Sequence, residues 1–204
     1  MNKYITFIRH AQVENPQQII YGALPCFGLS KEGRENTKKK AVELAGIPYQ
    51  KIIASPLERT KETAGIIQRE SFPNLEITFN ESIIEWVYIT QGMSRQEWNS
   101  PQLASYKRVY DRNPYELPEE INGTKYESFT QLEKRMKEFL RQLLAESESY
   151  VLVVSHGDPI LVLLSSLTGQ TYQEFKSTNP VDFLSTNTLV FENQKFVKLI
   201  NLPQ

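Results

Sequence analysis

The sequence predicts an α/β fold: a three-layer sandwich with a mostly parallel central sheet flanked by helices. Three observations predict it. Short apolar, β-like runs alternate with amphipathic helical patterns along the chain. The runs at residues 4–8 and 150–154 are rich in β-branched, aromatic and aliphatic residues, as strands buried on both faces are. Small and polar residues, including the only two histidines, His10 and His156, follow those runs at once. Ligands bind at the carboxyl ends of strands in such sheets. The 204 residues read most simply as one domain, 1–204, long enough for a proper core.

The elements follow in order. Residues 4–8 form a buried strand that ends at Arg9-His10, and residues 11–30 form a loop marked by Asn15-Pro16, Tyr21-Gly22 and a Pro25 to Gly28 cluster. Ser30 caps a helix over 31–45, stopped by Gly46 and Pro48. Residues 51–54 are a strand. Ser55 is placed to cap the next helix, with Pro56 at its first position and Leu57, Thr60, Ala64 and Ile67 at helical spacing. Residues 75–79 are a short strand. Residues 86–126, rich in aromatics, read as an excursion of short helices and loops, with a Ser94/Glu97 capping box and a start at Ser100-Pro101. Ser128 with Gln131 opens the clearest helix, whose apolar face carries Phe129, Leu132, Met136, Phe139, Leu140, Leu143 and Leu144. Residues 150–154 are a strand, and the run "ILVLLSSL" is a buried helix ended by Gly169. Two last strands flank Asn193-Gln194.

Composition excludes several functions. Twenty-three basic residues against 24 acidic ones give a net charge of −1, which argues against nucleic-acid or membrane-surface binding through bulk charge. The most apolar region is broken by Ser155, His156, Gly157, Asp158 and Pro159, so no membrane span is expected. One cysteine, Cys26, allows no intrachain disulfide and points to a reducing compartment, so a cytoplasmic location is expected. Cys26 sits among turn formers with no motif to make it a nucleophile. The sequence leaves the oligomeric state open, a homodimer included.

Three predicted strands deliver Arg9-His10, residues 55–59 and Ser155-His156-Gly157 to one sheet edge. Arg59 alone would read as a solvated arginine. Beside Arg9, a shared anion is favoured, because two guanidiniums fork well onto phosphate oxygens. An imidazole can attack phosphorus and hold it covalently, and a second can stabilise the transferring group. Gly157 lets a ligand approach the backbone. A leaving alkoxide needs a proton, and Glu85 and Asp158 are both candidate acids; the residue pattern alone does not choose between them.

Four segments, "FIRHAQVEN", "IIASPLERTKETA", "NESIIE" and "VLVVSHGDP", occur in this order and resemble the histidine phosphatase (phosphoglycerate-mutase-like) superfamily over most of the chain. The resemblance implies a phosphomonoester hydrolase acting on a small phosphorylated metabolite, with no metal or other cofactor. It implies that His10 is the nucleophile, that Arg9, Arg59 and His156 hold the phosphate, that Glu85 is the proton donor, and that Asn15 joins the phosphate pocket. Four features depart from the common pattern. Ala11 stands for the usual glycine, Asp158 for a small or apolar residue, and Ile89 for a frequent glycine; the spacing from His10 to Asn15 is one residue short. A mutase is the rival within the family, ranked lower because "EWVYITQG" lacks the mutases' characteristic segment. A His10–His156–Glu85 zinc site is opposed by the two arginines. A weak phospho-ligand binder is the third reading, motivated by Ala11 and Asp158.

Overall fold

The computed structural model describes residues 2–121 and 123–201. Its strands and helices are β1 (Asn2–Arg9), α1 (Lys31–Leu44), β2 (Lys51–Ala54), α2 (Glu58–Ser71), β3 (Ile77–Phe79), α3 (Arg95–Trp98), α4 (Ala104–Arg112), β4 (Glu120–Ile121), β5 (Thr124–Lys125), α5 (Phe129–Ala145), β6 (Tyr150–Ser155), α6 (Gly157–Thr168), α7 (Tyr172–Thr178), β7 (Thr186–Glu192) and β8 (Lys195–Asn201). The main sheet has the order β3-β2-β6-β1-β7-β8. Strands β1, β2, β3 and β6 run parallel, and β7 and β8 close one side antiparallel.

Strand alternation divides the core into two layers. On one face Ile5, Phe7, Ile53, Val151 and Val153 pack with Phe129, Leu132, Met136, Phe139 and Leu140 of α5 and the apolar side of α6. On the other, Ile8, Ile52, Ala54, Leu152 and Val154 meet Ala41 and Leu44 of α1 and Ala64 and Ile67 of α2. Both faces of the central strands are thus covered, which explains their near-continuous apolar sequences. The excursion adds to the first layer: Trp86, Tyr88, Leu117 and Ile121 are buried in it.

Local signals explain the helix starts. The Ser30 hydroxyl accepts the Gly33 N–H at 3.0 Å, and Ser94, Ser128 and Thr171 each complete a capping box. Each such cap stabilises its helix by about 1 kcal/mol. Gly169 ends α6 in the left-handed conformation at φ 71°, where a Cβ is disfavoured. Gly33 is required for a different reason. A Cβ there would lie 2.2 Å from the Gln12 carbonyl oxygen, so the start of α1 rests directly on the loop that follows His10.

Four details differ from the sequence expectation. Ser55 does not cap α2: that helix begins at Glu58, and its N-cap, Leu57, supplies no side-chain bond. Ser55 is fully buried, its carbonyl accepts the Thr60 hydroxyl at 2.7 Å, and its own hydroxyl is engaged at His156. The expected strand at 75–79 shortens to Ile77–Phe79, because the Gln68 side-chain amide takes the carbonyls of Pro73 and Leu75. The Thr171/Glu174 box opens a helix, α7, that was not anticipated. The excursion also contains the small β4–β5 pairing.

Candidate active site

The parallel core of the sheet lines up the candidate residues. Arg9 pairs in register with Ser155. One further backbone bond continues each ladder past the strand ends, from His10 N–H to the Ser155 carbonyl and from Ser55 N–H to the Val154 carbonyl, both 3.0 Å. His10, Ser55 and His156 therefore leave three neighbouring strands at the same edge. The two imidazoles lie 5.2 Å apart, centroid to centroid.

The hydrogen bonds of His10 assign its tautomer. Its Nδ1 lies 2.8 Å from the Ala11 carbonyl, which can only accept, so Nδ1 carries the proton and the lone pair is on Nε2. Nε2 has no partner. Ala11 is fully buried, and its N–H donates to the Thr63 hydroxyl at 3.1 Å, which in turn donates to the Arg59 carbonyl at 2.7 Å. The methyl of Ala11 is thus accommodated, and its N–H ties the His10 loop to α2. His156 directs Nε2 at the Ser55 hydroxyl, 2.8 Å away, and its Nδ1 is unpartnered.

Two guanidiniums, that of Arg59 buried and that of Arg9 half-buried, complete the group. Arg59 is fully buried; its Nη2 donates to the Gly22 carbonyl at 2.5 Å and its Nη1 to that of Leu24 at 3.3 Å. Arg9 Nη1 donates to the Val181 carbonyl at 2.9 Å. Neither makes an ion pair among the described residues. The Nε atoms of both are buried without a partner. Four polar atoms, one from each of Arg9, His10, Arg59 and His156, are therefore buried and unsatisfied in one cluster. Each such atom costs about 1–3 kcal/mol, so their grouping signals a function.

Burial, together with the charges of Arg59 and Arg9, holds both imidazoles well below the ordinary histidine range. His10 is thus a neutral imidazole with a free lone pair. The cluster lies against a cavity of about 660 Å³ lined by Arg9, Tyr21, Glu85, Gly157, Asp158, Phe183 and the excursion residues Trp86, Tyr88, Trp98 and Tyr110. Two aromatic rings that line it also pack near His10. Phe183 lies under the Arg9 guanidinium at 4.3 Å and 5.6 Å from the His10 ring; Tyr21 lies 4.8 Å from that of Arg59 and 6.2 Å from His10. A Cβ on Gly157 would touch the Arg9 guanidinium at 3.5 Å.

Glu85 reaches the same cavity. It follows the 3-10 turn Glu81–Ile83, its Oε1 accepts the Trp86 N–H at 2.9 Å, and Arg135 of α5 holds the carbonyl of Ile84 at 2.8 Å. Burial and the charge of Asp158 push its carboxyl up to about 7, against the opposing pull of Arg59 and Arg9. Asn15 lines the cavity, but its amide is spent locally. Oδ1 accepts the Ile19 N–H at 3.0 Å and Nδ2 donates to the Ile19 carbonyl at 2.8 Å, which shapes the loop. Among the described residues, no three His, Cys, Asp or Glu side chains are grouped to hold a metal ion. Sequence reasoning missed Tyr21, Phe183 and the site role of Ser55. Only Ser55, the residue that follows β2, had a positional signal.

The family model of the histidine phosphatase superfamily (branch 1) matches residues 5–202. Phosphoserine phosphatase 1 of Hydrogenobacter thermophilus is 30% identical over 178 residues, 85% of this chain and 80% of that protein. Among solved structures, the α-ribazole phosphatase of Shigella flexneri superposes with a TM-score of 0.79 at 22% identity, covering 98% of this chain and 95% of the other. A mycobacterial glucosyl-3-phosphoglycerate phosphatase gives 0.80 at 17% identity, covering 98% and 97%. These two likenesses show the same fold. The chain belongs to the histidine phosphatase superfamily, branch 1.

Proposed function

We propose that this chain is a phosphomonoester hydrolase for small phosphorylated metabolites, working through a phosphohistidine on His10. The observation that carries the reading is the cluster of four unsatisfied buried atoms around the lone pair of His10 Nε2. A phosphoryl group seated there pairs three of them and faces the fourth as its attacker. The relatives support the substrate class: each phosphatase cited above is named for a small metabolite.

The steps balance with water as the one co-reactant. His10 Nε2 attacks phosphorus while the bond to the ester oxygen breaks. Arg9, Arg59 and His156 stabilise the charge on the equatorial oxygens. Glu85, carrying its proton, gives it to the leaving alkoxide. Water then attacks the phosphoryl group, its proton returns to Glu85, the N–P bond breaks, and neutral His10 and inorganic phosphate result. Bound phosphate also raises the affinity of His156 for a proton, because it brings negative charge beside a ring that burial and two guanidiniums otherwise keep neutral. Gly157 gives the ligand access to the backbone, and Asn15 keeps the entrance loop in shape. The single cysteine fits a site of action in the reducing cytoplasm.

The test is release of inorganic phosphate from a panel of sugar phosphates, phosphoglycerates, phosphoserine and nucleotide-precursor phosphates, beside His10→Ala. The reading expects release from at least one compound, lost in the variant. Isomerisation of a monophosphoglycerate without free phosphate contradicts it.

A further inference from the structure

The catalytic steps above leave one cation of the cavity without a role. Lys176, in the last turn of α7, lines that cavity and is half-buried. Two short paths join it to the catalytic residues. On one, Trp86, next to Glu85, stacks on Tyr110 with ring centroids 6.2 Å apart, and the Lys176 ammonium lies 5.0 Å from the Tyr110 ring. On the other, Asp158, two residues past His156, accepts the Tyr172 hydroxyl at 2.5 Å, and the ammonium lies 5.4 Å from the Tyr172 ring. Lys176 is therefore set one tyrosine beyond Trp86 and Asp158, which line the same cavity.

Its head group is held in place and still has donors to give. Nζ donates to the Tyr110 hydroxyl at 3.2 Å, and the Gln173 side chain of the same helix bonds the Tyr110 carbonyl at 2.5 Å, which ties α7 to α4. An ammonium has three N–H donors, and the other two have no partner among the described residues. Lys176 makes no ion pair among them either. The acid nearest in sequence, Glu174, is spent on the Thr171 N–H and hydroxyl in the capping box that opens α7. The two tyrosine rings attract the cation without neutralising it. Arg95, which also lines the cavity, is exposed on α3, where water and salt screen its charge.

We propose that Lys176 is a specificity-determining residue: it binds a second anionic group, a carboxylate or a second phosphate, on the alcohol portion of a phosphomonoester whose phosphoryl group sits at His10. This rests on the reading of the cavity as the substrate site, and it narrows the substrate to a metabolite with two anionic groups. A positioned ammonium with free donors meets an anion through charge-assisted hydrogen bonds, about twice as strong as neutral ones. A neutral alcohol portion leaves the same donors to water and gains nothing from the charge.

The experiment uses two pairs of compounds that differ in the second anion: 3-phosphoglycerate with glycerol 3-phosphate, and fructose 1,6-bisphosphate with fructose 6-phosphate. kcat and KM are measured for all four in wild type, Lys176→Met, Lys176→Gln and Lys176→Arg. The readout is the ratio of kcat/KM within a pair, in which a general loss of folding or chemistry cancels. The proposal expects wild type to favour the member with the second anion in at least one pair. It expects that advantage to fall about tenfold in the two charge-free variants, through KM rather than kcat, and to stay within about threefold of wild type in Lys176→Arg. The pair that shows the effect tells carboxylate from phosphate. No preference for the second anion in either pair overturns the proposal, as does an advantage that persists in both charge-free variants or is lost equally in Lys176→Arg. If the wild type hydrolyses no phosphoester, the proposed function fails, and the dissociation constants of the same pairs, measured by calorimetry, still decide this inference.

Discussion

Replacing Glu85 by glutamine keeps the shape of the side chain and removes its transferable proton. The structure places the carboxyl in the cavity, with burial and Asp158 pushing it up to about 7. At that value the proton-bearing fraction falls from about nine-tenths at pH 6 to about one-tenth at pH 8. Wild-type kcat/KM on an alkyl phosphate should therefore fall about tenfold across that interval. General-acid catalysis is worth roughly 10²–10⁴ in rate, about 3–5 kcal/mol, so Glu85→Gln should lose that much on an alkyl phosphate and lose this limb of the pH profile as well. An aryl phosphate with an acidic leaving group needs no proton for the first step. Its leaving-group burst in rapid-mixing kinetics should survive, and only the later release of phosphate should slow. The assay compares the two substrates in one variant. Equal losses on both, or no loss on either, would refute the assignment of Glu85 as the acid.

Other outcomes follow from the same contacts. The raised Glu85 carboxyl makes the folded state bind more protons than the unfolded one between about pH 4.5 and 7, so stability is lost as pH rises through that window; Glu85→Gln should exceed wild type in stability at pH 8 by up to roughly 3 kcal/mol, a difference that chemical unfolding shows vanishing near pH 4. Ser55→Ala leaves His156 Nε2 without its 2.8 Å partner, and kcat should drop by about tenfold with KM little changed and the fold intact by circular dichroism. Gly33→Ala drives a methyl to 2.2 Å from the Gln12 carbonyl oxygen and should cost about 1–3 kcal/mol in denaturant unfolding, with reduced activity because the same loop carries His10.

The parts of the fold written in local chemistry were legible in the sequence. Both central strands, the caps at Ser30, Ser94 and Ser128, and the stop at Gly169 depend on residues within a few positions of each other, and each formed as expected. The meeting of Arg9, His10, Arg59 and His156 was legible for a different reason. Parallel strands with the same polarity must deliver their carboxyl ends to one edge, whatever lies between them. What stayed hidden depends on contacts distant in sequence. Ser55 looked like a cap because serine before proline commonly is one, and its partner lies 101 residues away. Asn15 looked available to a ligand until the Ile19 backbone claimed both ends of its amide. Tyr21 and Phe183 carry no periodic signal, since each sits in a loop whose path is set by arginine-to-carbonyl bonds. Asp158 was visible as a departure, while its partner Tyr172, 14 residues on, was not.

The central claim is that His10 Nε2 becomes the phosphoryl carrier. The most direct measurement is to mix wild type with a radiolabelled phosphoester, quench in alkali, and locate the label by peptide mapping, because a phosphorus–nitrogen bond to histidine survives base and breaks in acid. The account predicts one alkali-stable, acid-labile label on the peptide containing His10, absent in His10→Ala and longer-lived in Glu85→Gln. Turnover to free phosphate with no label on that peptide under single-turnover conditions, or a label that persists in His10→Ala, would contradict it.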